Sequence, residues 1–252
     1  MSPTKPDDYF NKAGKYHLLA DYYKYNNPTL HLHYYNKYVN YLQRAIVDEQ
    51  NNRASAQTNL PPAQVRVMHA APETDKVDVY VNSTRVLQDF PYKSVSNYLS
   101  LPQGKYQVDV YPAGNQVSTI VSRKIEVKNG KMYTIAAIGT GKNIKLQAYE
   151  DQSAVPFGEA TLRVIHLSPD APSVDIGVKN GDVAFPELSY RKATNYLGVT
   201  PMNLELEVRK PGTKDVIFSL PSIQLQPNTA YTIYLVGLVE KEPSLEALML
   251  TP

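Results

Sequence analysis

One stretch of this chain occurs twice. "VRVMHAAPETDKVDVYV" (65–81) aligns with "LRVIHLSPDAPSVDIGV" (162–178), which places His69 on His166, Pro72 on Pro169 and Asp78 on Asp175. The match resumes further on: "YKSVSNYLSL" (92–101) with "YRKATNYLGV" (190–199), and "GKMYTIAAIG" (130–139) with "NTAYTIYLVG" (228–237). A sequence that repeats itself at this interval is expected to fold as two copies of one domain, each able to bury its own core.

The domain type follows from the spacing of apolar residues. "VDVYV" (77–81), "KYQVDVYP" (105–112), "TIVSRKIEV" (119–127) and "MYTIAAIG" (132–139) read as strands, with turn signals between them. Helices do not alternate with the strands, as they would in an α/β enzyme. The predicted fold class is mainly β: two tandem immunoglobulin-like antiparallel β-sandwiches at 64–151 and 161–252, joined at 152–160. "KNGK" (128–131) is expected to form a hairpin turn with both central residues at positive φ. "GTGK" (139–142) lacks the spacing of a phosphate loop and is likewise expected to be a hairpin turn.

Residues 1–50 are built differently. They hold 9 of the chain's 20 tyrosines. Tyr9, Ala13, Tyr16, Ala20 and Tyr23, then Leu30, Tyr34, Tyr38, Leu42 and Ile46, follow helical spacing, with "NNPT" as a break and Asn27 or Thr29 near the second N-cap. This predicts a helical hairpin preceding the sandwiches. The polar stretch 51–63, ending in Pro61-Pro62, is expected to be a linker. Tyr16, Tyr22, Tyr23, Tyr34, Tyr35, Tyr38 and Tyr41 are expected to offer an assembly surface, since tyrosine supplies contact area at low entropic cost.

Several chemistries are set aside by composition. The chain has no cysteine, which excludes disulfides and thiolate metal sites, and its formal charge of +2 gives no broad basic field for nucleic acid. No signal peptide of the usual pattern and no membrane-spanning run is read in the sequence. The "HLH" at 31–33 cannot share one metal on a helix, where side chains two apart diverge. No cofactor, metal site or catalytic residue is expected.

His69, Asp78, His166, Asp170 and Asp175 remain as the marked polar residues. A hydrolytic reading would need an activated serine, yet no nucleophile elbow is present and Ser168 is matched by Ala71. The expectation is a structural clasp, in which each imidazole donates to the turn or to the nearby aspartate and Asp170 fixes its turn. Tyr92, Tyr98, Tyr190 and Tyr196 also recur; they are expected either to cover the core or to face a ligand.

The paired segments resemble the V-R-x-x-H-x-S-P-D-A-P-x-V-D hallmark of the bacterial domain of unknown function family 4397. The second copy matches it closely, whereas the first departs with "APETDK". The resemblance implies tandem immunoglobulin-like sandwiches in cell-surface or secreted proteins, and it carries over no catalytic residue. "KYHLLADYYKYNNPTLHLHYYNKYVNYL" (15–42) is similar to the tyrosine-rich leaders of such proteins in spore-forming bacilli. The function expected is therefore that of a non-enzymatic structural or assembly protein of a spore coat, outer spore layer or cell surface. Its partners would be other surface or coat proteins, or the chain itself, with no nucleic acid. The alternative is a surface module that binds polysaccharide or peptide.

Overall fold

A computed structural model of the chain describes residues 6–58 and 60–252. The chain divides into two compact units at Pro61/Pro62.

The first unit is a helical hairpin, α1 (Pro6–Tyr23) and α2 (Pro28–Thr58). Asn27 caps α2: its Oδ1 accepts from the Leu30 N–H at 3.1 Å, and Pro28 takes the first helical position, where a missing N–H costs nothing. Ala13, Ala20 and Ala45 are buried, so the helices approach closely and flat rings fill the seam. Tyr23, Tyr34, Tyr16, Tyr41 and Tyr9 form a ladder, with successive ring centroids 5.7, 6.2, 5.4 and 6.3 Å apart.

Two expectations are corrected here. The inward row of α2 is Tyr34, Tyr41 and Ala45, whereas Ile46 is 43% exposed. Both rows have helical spacing, but only one offers a small residue and stacking rings to the facing helix. The helix also runs to Thr58, into the stretch 51–63 expected to be a linker. Arg53, Ala54, Ala56 and Gln57 there are good helix formers, and the first breaker is Pro61.

The second unit begins with β1 (Ala63–Ala70), β2 (Val77–Val81), β3 (Thr84–Phe90), β4 (Leu99–Leu101), β5 (Gly104–Pro112), β6 (Val121–Val127), β7 (Met132–Ile138) and β8 (Lys145–Asp151). They form two sheets, β4-β1-β7-β8 and β3-β2-β5-β6. The second half holds β9 (Ala160–His166), β10 (Val174–Val178), β11 (Val183–Leu188), β12 (Leu197–Val199), β13 (Asn203–Leu204), β14 (Leu206–Arg209), β15 (Val216–Ser219), β16 (Ile223–Gln224), β17 (Thr229–Val236) and β18 (Glu246–Leu250). Its sheets, β12-β9-β17-β18 and β11-β10-β14-β15, repeat the order of the first half, with the short pair β13-β16 added. The fold is mainly β, as predicted. One pairing in each half is parallel, β1 with β7 and β9 with β17, and the others are antiparallel.

The asparagine turns differ from expectation. "KNGK" does not join paired strands: β6 and β7 lie in different sheets, and Lys131 N–H bonds the Lys128 carbonyl across a turn in which only Gly130, at φ 74°, is left-handed. That is the type II pattern, and it changes sheet rather than closing a hairpin. Positive φ at both central positions occurs instead at Asn82 (47°) and Ser83 (67°), which close the β2–β3 hairpin. "GTGK" does lie in the β7–β8 hairpin, as expected.

Each half has its own core. Val65, Val79, Val108, Ile125 and Ile135 are among those filling the first, and Leu162, Ile176, Leu206, Ile223 and Ile233 occupy the matching places in the second. A third cluster joins the halves: Met68, Ala70, Ala136, Ile138 and Tyr149 from the first pack with Ile165, Leu167, Tyr234 and Val236 from the second. The sheets that carry β1 and β9 are therefore covered on both faces, and every residue of β9 is buried.

Candidate functional site

In both halves the motif histidine closes the turn that follows its own strand. His69 Nε2 lies 2.9 Å from the Asp75 carbonyl, and its Nδ1 accepts from the Ala71 N–H at 3.4 Å. His166 Nε2 lies 3.1 Å from the Pro172 carbonyl, with Nδ1 accepting from the Ser168 N–H at 3.3 Å. Since Nδ1 accepts, the proton sits on Nε2 and donates to the carbonyl. Both rings are buried, and Tyr92 and Tyr190 stand edge-on to them at 5.9 and 6.2 Å.

The aspartates do not touch the histidines. Asp78 accepts from the Asp89 and Gly114 N–H groups at 2.9 and 3.3 Å; Asp175 accepts from Glu187 and Gly212 at 2.7 and 2.8 Å. Asp89 and Glu187 are residues at positive φ, 49° and 50°, beside irregularities in the β2–β3 and β10–β11 ladders. Each carboxylate thus holds a bulge on one side and a loop on the other. Asp170 accepts from the Val239 N–H at 2.9 Å and the Glu240 N–H at 3.1 Å, joining its turn to the β17–β18 loop. Desolvation pushes the Asp170 carboxyl up, but these bonds and the Ser168 hydroxyl outweigh it and leave it below the ordinary range.

The geometry offers no activated serine beside His166. Both ring nitrogens of His166 are engaged with backbone, and the buried Ser168 hydroxyl donates to Asp170 at 3.2 Å rather than to the imidazole. Among the described residues, no group of three or more His, Asp or Glu is placed to hold a metal.

The repeated tyrosines turn toward the protein interior. Arg66 lies 4.7 Å over the Tyr98 ring and Arg163 lies 4.5 Å over that of Tyr196. Tyr98 donates to Asp151 at 2.9 Å, and the Tyr196 hydroxyl lies 3.0 Å from Thr232 Oγ1. The two arginines cross between halves: Arg66 donates to the Thr251 carbonyl and Arg163 to the Glu150 carbonyl, each at 2.7 Å. Arg163 also bonds Asp151 at 2.6 Å, and Thr134 does so at the same distance. Tyr98 nevertheless also lines an apolar hollow between β3 and β4, and Tyr190 a hollow of about 300 Å³ shared with Asn143, Lys145 and Arg191. Tyr196 borders a polar hollow of about 720 Å³ shared with Lys131, Gln152 and Asn195.

The network centred on Asp151 was not read from the sequence. Its traces there are Arg66 and Arg163 at one position of the repeat, each with a threonine (Thr134, Thr232) and a tyrosine at matched places.

Residues 63–177 match the family model "Domain of unknown function (DUF4397)". This segment is a DUF4397 domain. The match spans the first sandwich and ends in β10, after the second histidine turn. No curated protein matches the chain. Two solved structures, each described as a "putative cell adhesion protein", are similar to it. One is from Bacteroides ovatus, at 11% identity over 77% of this chain and 96% of that one, with a TM-score of 0.21. The other is from Bacteroides fragilis, at 10% identity over 76% and 97%, with a TM-score of 0.19. Scores this low carry neither fold nor role to this chain.

The clasp has a pH signature. Burial pushes both imidazoles below the ordinary 6.5. The unfolded chain takes up protons near pH 6.5 that the folded chain refuses, so stability is full above that pH and falls as pH drops below it. The melting temperature should therefore decline between pH 7 and pH 5, and the His69→Asn/His166→Asn double variant, less stable at pH 8, should decline less steeply. An unchanged slope would remove the histidines from the acid limb. At the alkaline end burial pushes the Tyr92 phenol up to about 12, so its contribution is lost as pH rises beyond 10.

Proposed function

We propose that the chain is a non-enzymatic structural or assembly protein of a bacterial spore or cell surface. The repeated sandwiches are two copies of one domain forming a rigid body, and the N-terminal hairpin is the self-association element. The observation that carries this reading is a second apolar row on α2. Leu32, Tyr35, Val39, Leu42 and Ile46 follow one another at intervals of three and four, the spacing of a helix-bundle seam, and Leu32, Tyr35 and Ile46 are exposed although the first seam is already filled. Leu18, Tyr22 and Tyr25 add an exposed row on and just past the end of α1, at 71%, 69% and 86%.

Of the seven tyrosines expected to form the assembly surface, Tyr16, Tyr23, Tyr34 and Tyr41 are spent on the seam, and Tyr38 meets the His17 ring at a 54° tilt, 4.8 Å between centroids. Tyr22 and Tyr35 stay available. Sedimentation equilibrium of the full chain tests the reading: it should self-associate at micromolar concentration, and Leu32→Glu/Ile46→Glu should weaken this by about a hundredfold, roughly 3 kcal/mol. A monomeric wild type, or association untouched by the double variant, would overturn it. Immunogold label on spore surface layers or on vegetative walls decides the location.

A second reading rests on the hollow beside Tyr196, whose mixed polar wall suits a polysaccharide or peptide. Saturable calorimetric binding of peptidoglycan fragments, lost in Asn195→Ala, would favour it.

A further inference from the structure

We propose that the first sandwich binds an uncharged, largely hydrocarbon small molecule between its sheets, and that the second does not because Phe185 occupies the same place. The site is independent of the hairpin and of its role in assembly. On one side of the first sandwich the sheets meet where Arg123, on β6, bonds the Leu146 carbonyl of β8. On the other side, between the edge strands β3 and β4, a cavity of about 560 Å³ opens into the core. Its wall includes Val65, Val67, Leu87, Val108, Ile125 and Ile135, and no charged side chain lines it. Protein interiors pack densely and seldom leave voids larger than a water molecule, whereas ligand pockets run from about 300 to 1,000 Å³. A charged ligand would find no partner inside; a ligand with one neutral polar group could place it at the rim, where Asn97 is exposed.

The second half supplies the control. Leu87 stands opposite Val79 in the β2–β3 ladder, and Phe185 stands opposite Ile176 at the matching register of β10–β11. Phe185 packs onto the second core. The hollow beside it, about 370 Å³, is walled by residues such as Leu188, Lys192 and Asn195 and reaches none of Leu162, Val164 and Ile233. One change of side chain size separates an open sandwich from a closed one.

The test uses the full chain and the neutral dye N-phenyl-1-naphthylamine, followed by fluorescence and by methyl NMR. Saturable binding to one site is expected, with shifts at the Ile125 and Ile135 methyls. Leu87→Phe should weaken it more than about tenfold without lowering the melting temperature, and Phe185→Leu should create a second site. The proposal would be overturned by no saturable binding, by binding unaffected by Leu87→Phe, or by shifts confined to Leu18 and Leu32 on the helices. Saturation by extended peptides but not by the dye would likewise overturn it, in favour of strand pairing along β3 or β4. Should Leu87→Phe fail to fold, the location of the methyl shifts in the wild type still decides.

Discussion

Replacing Asp151 by Asn should cost about 3–5 kcal/mol, a large part of the roughly 5–15 kcal/mol that holds a domain folded. The side chain is fully buried between two guanidiniums: Arg163 at 2.6 Å and Arg66 at 3.8 Å. It also accepts from Tyr98 and Thr134. The amide keeps the shape but not the charge, so both arginines stay buried with no anion between them, and removing one partner of a buried pair costs far more than the pair itself contributes. The adjacent Glu150 is the natural control. Its contact with Lys131 is half exposed, at 51% and 50%, and Glu150→Gln should cost no more than about 1 kcal/mol. Urea midpoints measured side by side would show the contrast. Equal midpoints would mean that water reaches Asp151 and that the network between the halves contributes little.

Tyr234→Ala is expected to be comparably severe, about 3–5 kcal/mol, by a different mechanism. Tyr234 is fully buried, paired in register with Ile165 on one side and Leu248 on the other, and it belongs to the cluster that joins the two sandwiches. Truncation leaves a void that the two flanking sheets cannot close, because each is already pressed against its own core. The loss falls on the junction rather than on either core. The wild type should therefore melt in one transition and the variant in two, since each half keeps its own core while the coupling weakens. Calorimetry reads this directly; a single, uniformly lowered transition would show that neither half folds without the other. The effects of Tyr234→Ala and Asp151→Asn should not add, because Thr134 lies beside both.

The strands were legible in the sequence because they depend on local pattern. Val77 to Val81 alternate, and one face of that strand meets the first core. The junction was harder to see because it is made by strands that do not alternate. "TIAAI" in β7 and "TIYLV" in β17 are apolar on successive residues, the pattern of strands covered on both faces, and they could have signalled it. The clasp was half legible. Histidine followed by a proline turn points to its own acceptor, but Asp78 and Asp175 bond backbone N–H groups of Asp89, Gly114, Glu187 and Gly212, and any residue but proline would supply those. Helical spacing alone could not choose between two apolar rows on α2; the buried alanine decided it.

The parallel pairings set the order in which this chain can acquire its structure. Arg66 and Thr134 are partners across 68 residues, and Arg163 and Thr232 across 69, so neither first strand finds its parallel neighbour until nearly its whole half has been synthesised. At a ribosome adding about 5–20 residues per second, β1 waits several seconds with an unpaired edge. The hairpin α1–α2, whose contacts are local, forms long before then. Nascent chains would thus expose a finished helical hairpin ahead of any finished sandwich, and chains on one message could meet through it while their β-sheets are still assembling.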